Sequence, residues 1–141
     1  MEVVEYETGG GVVVDGDLVM VLERLSPPEI RLPKGHIDPG EDAITAAVRE
    51  VLEESGYRCR IVDDLGAHQV EFDFEERRIS RLEHYFLMEP IEAVDDGEPQ
   101  FLTRWVSWDE AAGRLTFDEE RNWLHRAHRA ELARKAGEGG G

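Results

Sequence analysis

Cysteine is almost absent from this sequence. The single Cys59 cannot close an internal disulfide, and its alternating surroundings make it a buried thiol. Long apolar runs are missing too. None approaches the roughly 20 residues needed to cross a bilayer, so a membrane partner is not expected. The acidic start Met1-Glu2-Val3-Val4-Glu5 lacks a signal peptide's basic residues, and the expected compartment is the cytoplasm. Basic charge is scarce: 16 Lys and Arg stand against 32 Asp and Glu, a net charge of -16, with Lys34 and Lys135 the only lysines. Such a field repels a long phosphate backbone and argues against long nucleic acid as a partner. Most of these carboxylates read as solvated surface. At 141 residues the chain fits one domain, expected over residues 1–136, with 137–141 a glycine-rich flexible tail.

Val12-Val13-Val14 and Leu18-Val19-Met20-Val21-Leu22 are β-favouring runs around Asp15-Gly16-Asp17, a hairpin signal. The Pro- and Gly-rich passage from Ser26 to Gly40 reads as an ordered loop with a short strand around Ile30. Asp42 is an expected N-cap, residues 43–55 are strong helix formers, and Gly56 is an expected left-handed stop. Strands are expected over 59–62, 67–74 and 81–88, with Glu75-Glu76-Arg77-Arg78 turning between the last two. A short strand at 105–107 and helices over 108–115 and 118–134 complete the chain.

One stretch carries chemistry. From Gly35 the chain reads GHIDPGEDAITAAVREVLEESGY, with Glu41, Arg49, Glu50, Glu53, Glu54 and Gly56 at set distances. Seven specified residues at fixed spacing should arise by chance on the order of once in ten thousand such sequences. At about 100° per residue Glu50, Glu53 and Glu54 share one helical arc, and Ile44, Val48, Val51, Leu52 and Ser55 are expected on the core side. Three carboxylates at i, i+3 and i+4 repel one another, and near a helix C-terminus they also oppose the dipole. A hard divalent cation removes both penalties, because magnesium takes carboxylate oxygens and keeps waters that a phosphate can replace. Ala43, Ala46 and Ala47 are either space for that metal and its substrate or plain helix formers. Lys34, in the Pro-Lys-Gly loop, is a candidate substrate-phosphate contact. His36 either touches substrate or closes a turn, and His125 with His128 are expected on an exposed helical face.

The spacing resembles the box of the Nudix hydrolases. That resemblance implies an α/β/α sandwich with a central mixed sheet, and hydrolysis of a diphosphate linkage in a small-molecule nucleotide. It implies that Glu50, Glu53, Glu54 and the Gly35 carbonyl hold Mg2+, with Mn2+ able to substitute, and that Arg49 orients the glutamates. Glu50 is the first candidate for proton acceptor; Glu53 or an acid of Asp95-Asp96-Gly97-Glu98 is the alternative. Glu41 stands in a supporting place.

Beyond the box, Leu32-Pro33-Lys34-Gly35-His36, His84-Tyr85-Phe86-Leu87 and Trp105-Val106-Ser107-Trp108 are similar to diadenosine polyphosphate hydrolases. The chain departs from them in holding Phe72 and Phe74 where a tyrosine is common, and Phe101-Leu102-Thr103 where an acid is. For Phe72, Phe74, Tyr85 and Phe86 core packing is the expectation ahead of ligand contact. Nucleoside triphosphates, ADP-ribose or capped RNA are alternative substrates, and a non-catalytic nucleotide-binding regulator is the alternative outside the enzymes. One domain with unassigned faces is compatible with a monomer or a homodimer.

Overall fold

The computed structural model describes residues 2–139. Seven strands form one mixed sheet: β1 (Glu2–Asp15), β2 (Leu18–Leu25), β3 (Pro28–Arg31), β4 (Lys34–His36), β5 (Tyr57–Phe74), β6 (Arg77–Ala93) and β7 (Leu102–Ser107). The main path runs β3-β2-β1-β6-β5, with β4 added beside β1 and β7 beside β2. β1 and β6 are parallel, and the other pairs are antiparallel. One face carries α1 (Ala43–Ser55), packed through Ala47 and Val51 onto Val13, Met20, Phe86 and Met88. The opposite face carries α2 (Trp108–Arg114) and α3 (Asp118–Gly139), whose Trp123, Leu124 and Ala127 meet Val12, Val14, Tyr85 and Leu87. This is the expected α/β/α sandwich around a mixed sheet. The central strands read as continuous apolar runs because helices cover both of their faces.

The hairpin, the helix start at Asp42 and its stop at Gly56 stand as expected. Asp42 accepts from the Thr45 amide at 2.7 Å, and Gly56 adopts φ +82. Cys59 is buried, which pushes its thiol up to about 12.

Elsewhere tertiary pairing extends the elements. β1 begins at Glu2 rather than near Val12, because it pairs with β6 from Glu2 to Val13. The expected strands 59–62 and 67–74 are one strand, β5, in which bulges absorb the polar stretch around Asp63 to Gly66. Only Glu75 and Glu76 form the following turn, and Arg77 and Arg78 already belong to β6. α3 runs on through Gly137 to Gly139, taking in part of the expected tail; Gly140 and Gly141 lie outside the described residues.

The buried stripe of α1 is also rotated from the expected one. Ile44 is 50% exposed, whereas Ala46, Ala47 and Glu54 are buried. The cause is close approach at Gly9, where an added Cβ would lie 3.1 Å from the Ala43 carbonyl oxygen and from the Ala47 nitrogen. Small residues on both partners let helix and sheet touch, so Ala43 and Ala47 pack the helix rather than clear space for a metal.

Candidate active site

β4 brings the loop and the helix together. It pairs with β1 through Thr8–His36, Gly9–Gly35 and Gly10–Lys34, which sets Gly35 against α1. A Cβ at Gly35 would stand 2.0 Å from the Glu50 carboxyl carbon, so only glycine leaves that carboxylate its place. The Lys34 amide donates to Glu54 Oε1 at 2.7 Å, and Arg49 Nη2 donates to the His36 carbonyl at 3.0 Å. The His36 ring stacks on Tyr6 with centroids 4.5 Å apart.

Arg49 is the hub of the acids. It donates to both oxygens of Glu41, at 2.8 and 2.9 Å, to Glu50 at 2.8 Å and to Glu53 at 3.2 Å. Glu41 in turn accepts from the Asp38 amide at 3.0 Å. The Arg49 bonds, aided by that amide, hold the Glu41 carboxyl down at about 2, and the acids raise the Arg49 guanidinium in return. Glu41 therefore anchors the arginine that orders Glu50 and Glu53.

Glu50 and Glu54 behave differently from Glu41. Burial raises the Glu50 carboxyl against the opposing pull of Arg49, and Glu53 and Glu98 raise it further. Burial pushes Glu54 up to about 7, opposed by Arg31 and the Lys34 amide and reinforced by Glu50 and Glu98. Both carboxylates are withdrawn from water without enough positive charge to compensate. Glu98 reaches this group because its amide donates to the Glu54 carbonyl at 3.2 Å, folding the loop of Asp95 to Glu98 against the end of α1.

Among the described residues no three His, Cys, Asp or Glu side chains converge as a ready metal cage. Glu50 and Glu53 lean on Arg49, and Glu54 leans on the Lys34 amide. The donor set still fits a hard cation: all its ligating atoms are oxygens, and half-buried Glu50 and buried Glu54 keep a raised proton affinity that Arg49, Arg31 and the Lys34 amide do not offset.

The Lys34 side chain crosses to the α3 face of the sheet. Instead of standing free at the mouth of the acidic site, its ammonium lies 3.1 Å from Glu83 and 4.0 Å from Glu120. These two acids are each 1% exposed. Glu83 also faces Arg81 at 2.9 Å and accepts from the Trp123 indole at 3.2 Å, while Glu120 accepts from the Leu32 amide at 2.5 Å. Burial pushes Glu120 up to about 7.

Lys34, Phe72, Arg81, Phe117, Glu119 and Glu120 line a cavity of about 250 Å3 there. Tyr85 and Phe86 are core, as expected; Phe72, 37% exposed, is a cavity wall with the Arg81 guanidinium 5.4 Å from its ring centroid. His125 is exposed, whereas His128 is half-buried and stacked on Trp108 at 4.4 Å.

Sequence reasoning overlooked Glu83 and Glu120, although a signal was there. Glu83 keeps step with the inward Tyr85 and Leu87 on β6, and Glu120 precedes Trp123, Leu124 and Ala127 on one helical stripe. An acid in a core phase needs partners.

Comparison with known proteins identifies the family and the fold. The NUDIX domain model matches residues 7–127. The chain is 32% identical over 133 residues to "Putative mutator protein MutT4" of Mycobacterium tuberculosis, covering 86% of this chain and 54% of that protein. It is 34% identical over 107 residues to "Putative 8-oxo-dGTP diphosphatase" of Bacillus subtilis, covering 72% and 67%. To the asymmetrical bis(5'-nucleosyl)-tetraphosphatase of Rattus norvegicus it is 32% identical over 100 residues, covering 68% and 67%. The chain thus spans about half the length of the first of these relatives and two thirds of the other two. In fold it is similar to a NUDIX hydrolase from Nitrosomonas europaea, with a TM-score of 0.77 at 20% identity over 90% of each chain. The glutamates gathered by Arg49 over Gly35, the sandwich that presents them and the match over residues 7–127 together place the chain in the Nudix hydrolase family.

Proposed function

We propose that the protein is a metal-dependent pyrophosphohydrolase that cleaves a diphosphate linkage in a nucleoside-diphosphate-linked substrate, with a diadenosine polyphosphate as the first choice. The carrying observation is half-buried Glu50 against Gly35 and buried Glu54 on the Lys34 amide, both with raised proton affinity despite their partners. A fold built for stability alone would compensate such acids fully, and a hydrolase leaves part of their charge to a cation.

Glu50, Glu53 and Glu54 with the Gly35 carbonyl would hold Mg2+, or Mn2+ in its place. The ion supplies Lewis-acid polarisation of phosphoryl oxygens and a lowered pKa for the attacking water. The chain's own groups do the rest. Arg49 fixes the directions of Glu50 and Glu53, and Gly35, having no side chain, leaves the Glu50 carboxylate its place. Glu50 is the first candidate to take the proton, with Glu53 and Glu98 as alternatives on the same group of acids. Phe72 and Phe117 offer apolar walls for a nucleoside in the neighbouring cavity, and Lys34 and Arg81, which share buried Glu83, are the cations on its lining that its phosphates would meet.

The substrate choice is supported by the likeness to the rat tetraphosphatase. A nucleoside triphosphate is the second reading, supported by the Bacillus subtilis relative. Among the described residues no helix is long and apolar enough to cross a membrane, and a cytoplasmic monomer or homodimer acting on small nucleotides fits the acidic surface.

The test is hydrolysis of diadenosine polyphosphates, nucleoside triphosphates and ADP-ribose with Mg2+, with products separated by chromatography. Preferred turnover of a diadenosine polyphosphate is expected. Preferred turnover of a triphosphate would move the substrate assignment, and inactivity across the panel would overturn the hydrolase reading.

A further inference from the structure

One face of α3 takes no part in the site described above. In this acidic chain almost every arginine finds an acid: all but two have a carboxylate oxygen within 4.0 Å. The exceptions among the described residues, Arg126 and Arg129, stand together. They are one turn apart on α3, with Asn122 and His125 on the same face and His68 reaching over from β5, around a groove of about 330 Å3. Arg126 is held in place there. Its guanidinium lies 4.9 Å from the Trp123 ring centroid, and its Nη1 donates to the Leu65 carbonyl at 3.4 Å.

Two like charges at i and i+3 repel each other, and a chain with this surplus of acids has ample means to quench them. A single carboxylate, Glu119, lines the groove. What remains is two planar guanidinium forks, two imidazoles and an amide facing one space. Those groups supply the hydrogen-bond donors and the positive charge that phosphate oxygens take. Glu119 also lines the cavity that holds Phe72 and Arg81, so the groove and that cavity adjoin.

We propose that this groove is a second anion site, which binds a phosphate group through Arg126, Arg129, His125 and His68 without a metal. The phosphate comes either from a free nucleotide or orthophosphate, or from the far end of a polyphosphate held at the acidic helix. The site goes beyond the hydrolase reading and does not depend on turnover.

Its test uses the full chain freed of divalent cations by EDTA and titrated with orthophosphate at constant ionic strength, while the histidine Cε1–H resonances are followed. Saturable shifts of His68 and His125 are expected, half complete on the order of 1 mM or below, with His36 unmoved. The double substitution Arg126→Gln/Arg129→Gln weakens binding roughly tenfold or more. Arg129→Gln alone leaves the Arg126–Trp123 contact in place and weakens binding less. Arg58→Gln, the same charge change at an exposed ion pair with Glu92, leaves it unchanged. Shifts that chloride reproduces at equal ionic strength, or that survive the double substitution, overturn the proposal.

Steady-state kinetics then distinguish the sources. A severalfold rise in KM for diadenosine tetraphosphate in the double variant, with kcat unchanged, assigns the site to the far end of the substrate. An unchanged KM with weaker inhibition by AMP or orthophosphate assigns it to free phosphate. Failure of the hydrolase reading would leave the metal-free titration untouched.

Discussion

Replacing Gly35 with alanine separates catalysis from folding. The added Cβ would lie 2.0 Å from the Glu50 carboxyl carbon and Oε2, and 2.5 Å from Oε1. Ordinary carbon contacts begin near about 3.5 Å, so the carboxylate must retreat by roughly 1.5 Å. It is tied to Arg49 at 2.8 Å, and the retreat strains that bond or turns the side chain toward water. A displacement of about 1 Å at a reacting group costs on the order of a hundredfold in rate, equivalent to roughly 2.7 kcal/mol of barrier. Folding should barely notice. The atom that yields is the end of a flexible chain, its burial is already unfavourable, and alanine in a strand restricts the unfolded state more than glycine does. The net stability change is expected within about 1 kcal/mol. Gly10→Ala is the contrasting case: its Cβ would meet the Pro33 carbonyl oxygen, the Lys34 Cβ and the Tyr85 ring at 2.8 Å, groups that cannot easily give way. That change should cost about 1–3 kcal/mol of stability. Initial rates of diadenosine tetraphosphate hydrolysis and urea unfolding would be measured on both variants. Wild-type kcat/KM in Gly35→Ala, or a loss of activity that merely tracks a loss of fold, would refute the reasoning.

Three further outcomes follow from the same contacts. Arg49→Lys cannot reach Glu41, Glu50 and Glu53 at once, and a rate loss on the order of tenfold to a hundredfold is expected, read as a fall in kcat with little change in melting temperature. Glu54 and Glu120 are both raised from 4.5 to about 7, so the folded state favours their neutral forms; that stability is whole below pH 4.5 and is lost as pH rises through about 7. The melting temperature of the metal-free protein should therefore fall over that window, and less steeply in Glu54→Gln, which should also lose about a hundredfold or more in rate; parallel pH profiles for the two proteins would count against it. Glu83→Ala leaves Arg81 without its buried carboxylate and Lys34 with only Glu120 at 4.0 Å, and should cost about 3–5 kcal/mol in chemical denaturation; a loss below about 1 kcal/mol would contradict the buried ion cluster.

The local features of the chain were legible because they depend on neighbours in sequence. The Asp42 cap, the Gly56 stop, the Gly16 hairpin and the spacing that puts Arg49 beside Glu50 and Glu53 are each set within a few residues. The elements misjudged are those defined by distant partners. Glu2 to Glu7 hold Val3, Val4 and Tyr6 among three glutamates and are ordered by pairing with β6, and Lys34 to His36 become a strand because β1 offers an edge. The bulged middle of β5 looks like a break until β6 runs past it.

The sequence by itself determined the acidic helix, its caps and the family to which its spacing belongs, because a 3.6-residue period and capping chemistry act over a single helix. The tertiary structure alone decided that Gly35 meets Glu50, that Glu98 joins the acids, and that the Lys34 ammonium turns away to Glu83 and Glu120. Those contacts join residues on separate elements, and their charge balance depends on burial, which appears only once two helical layers close over the sheet.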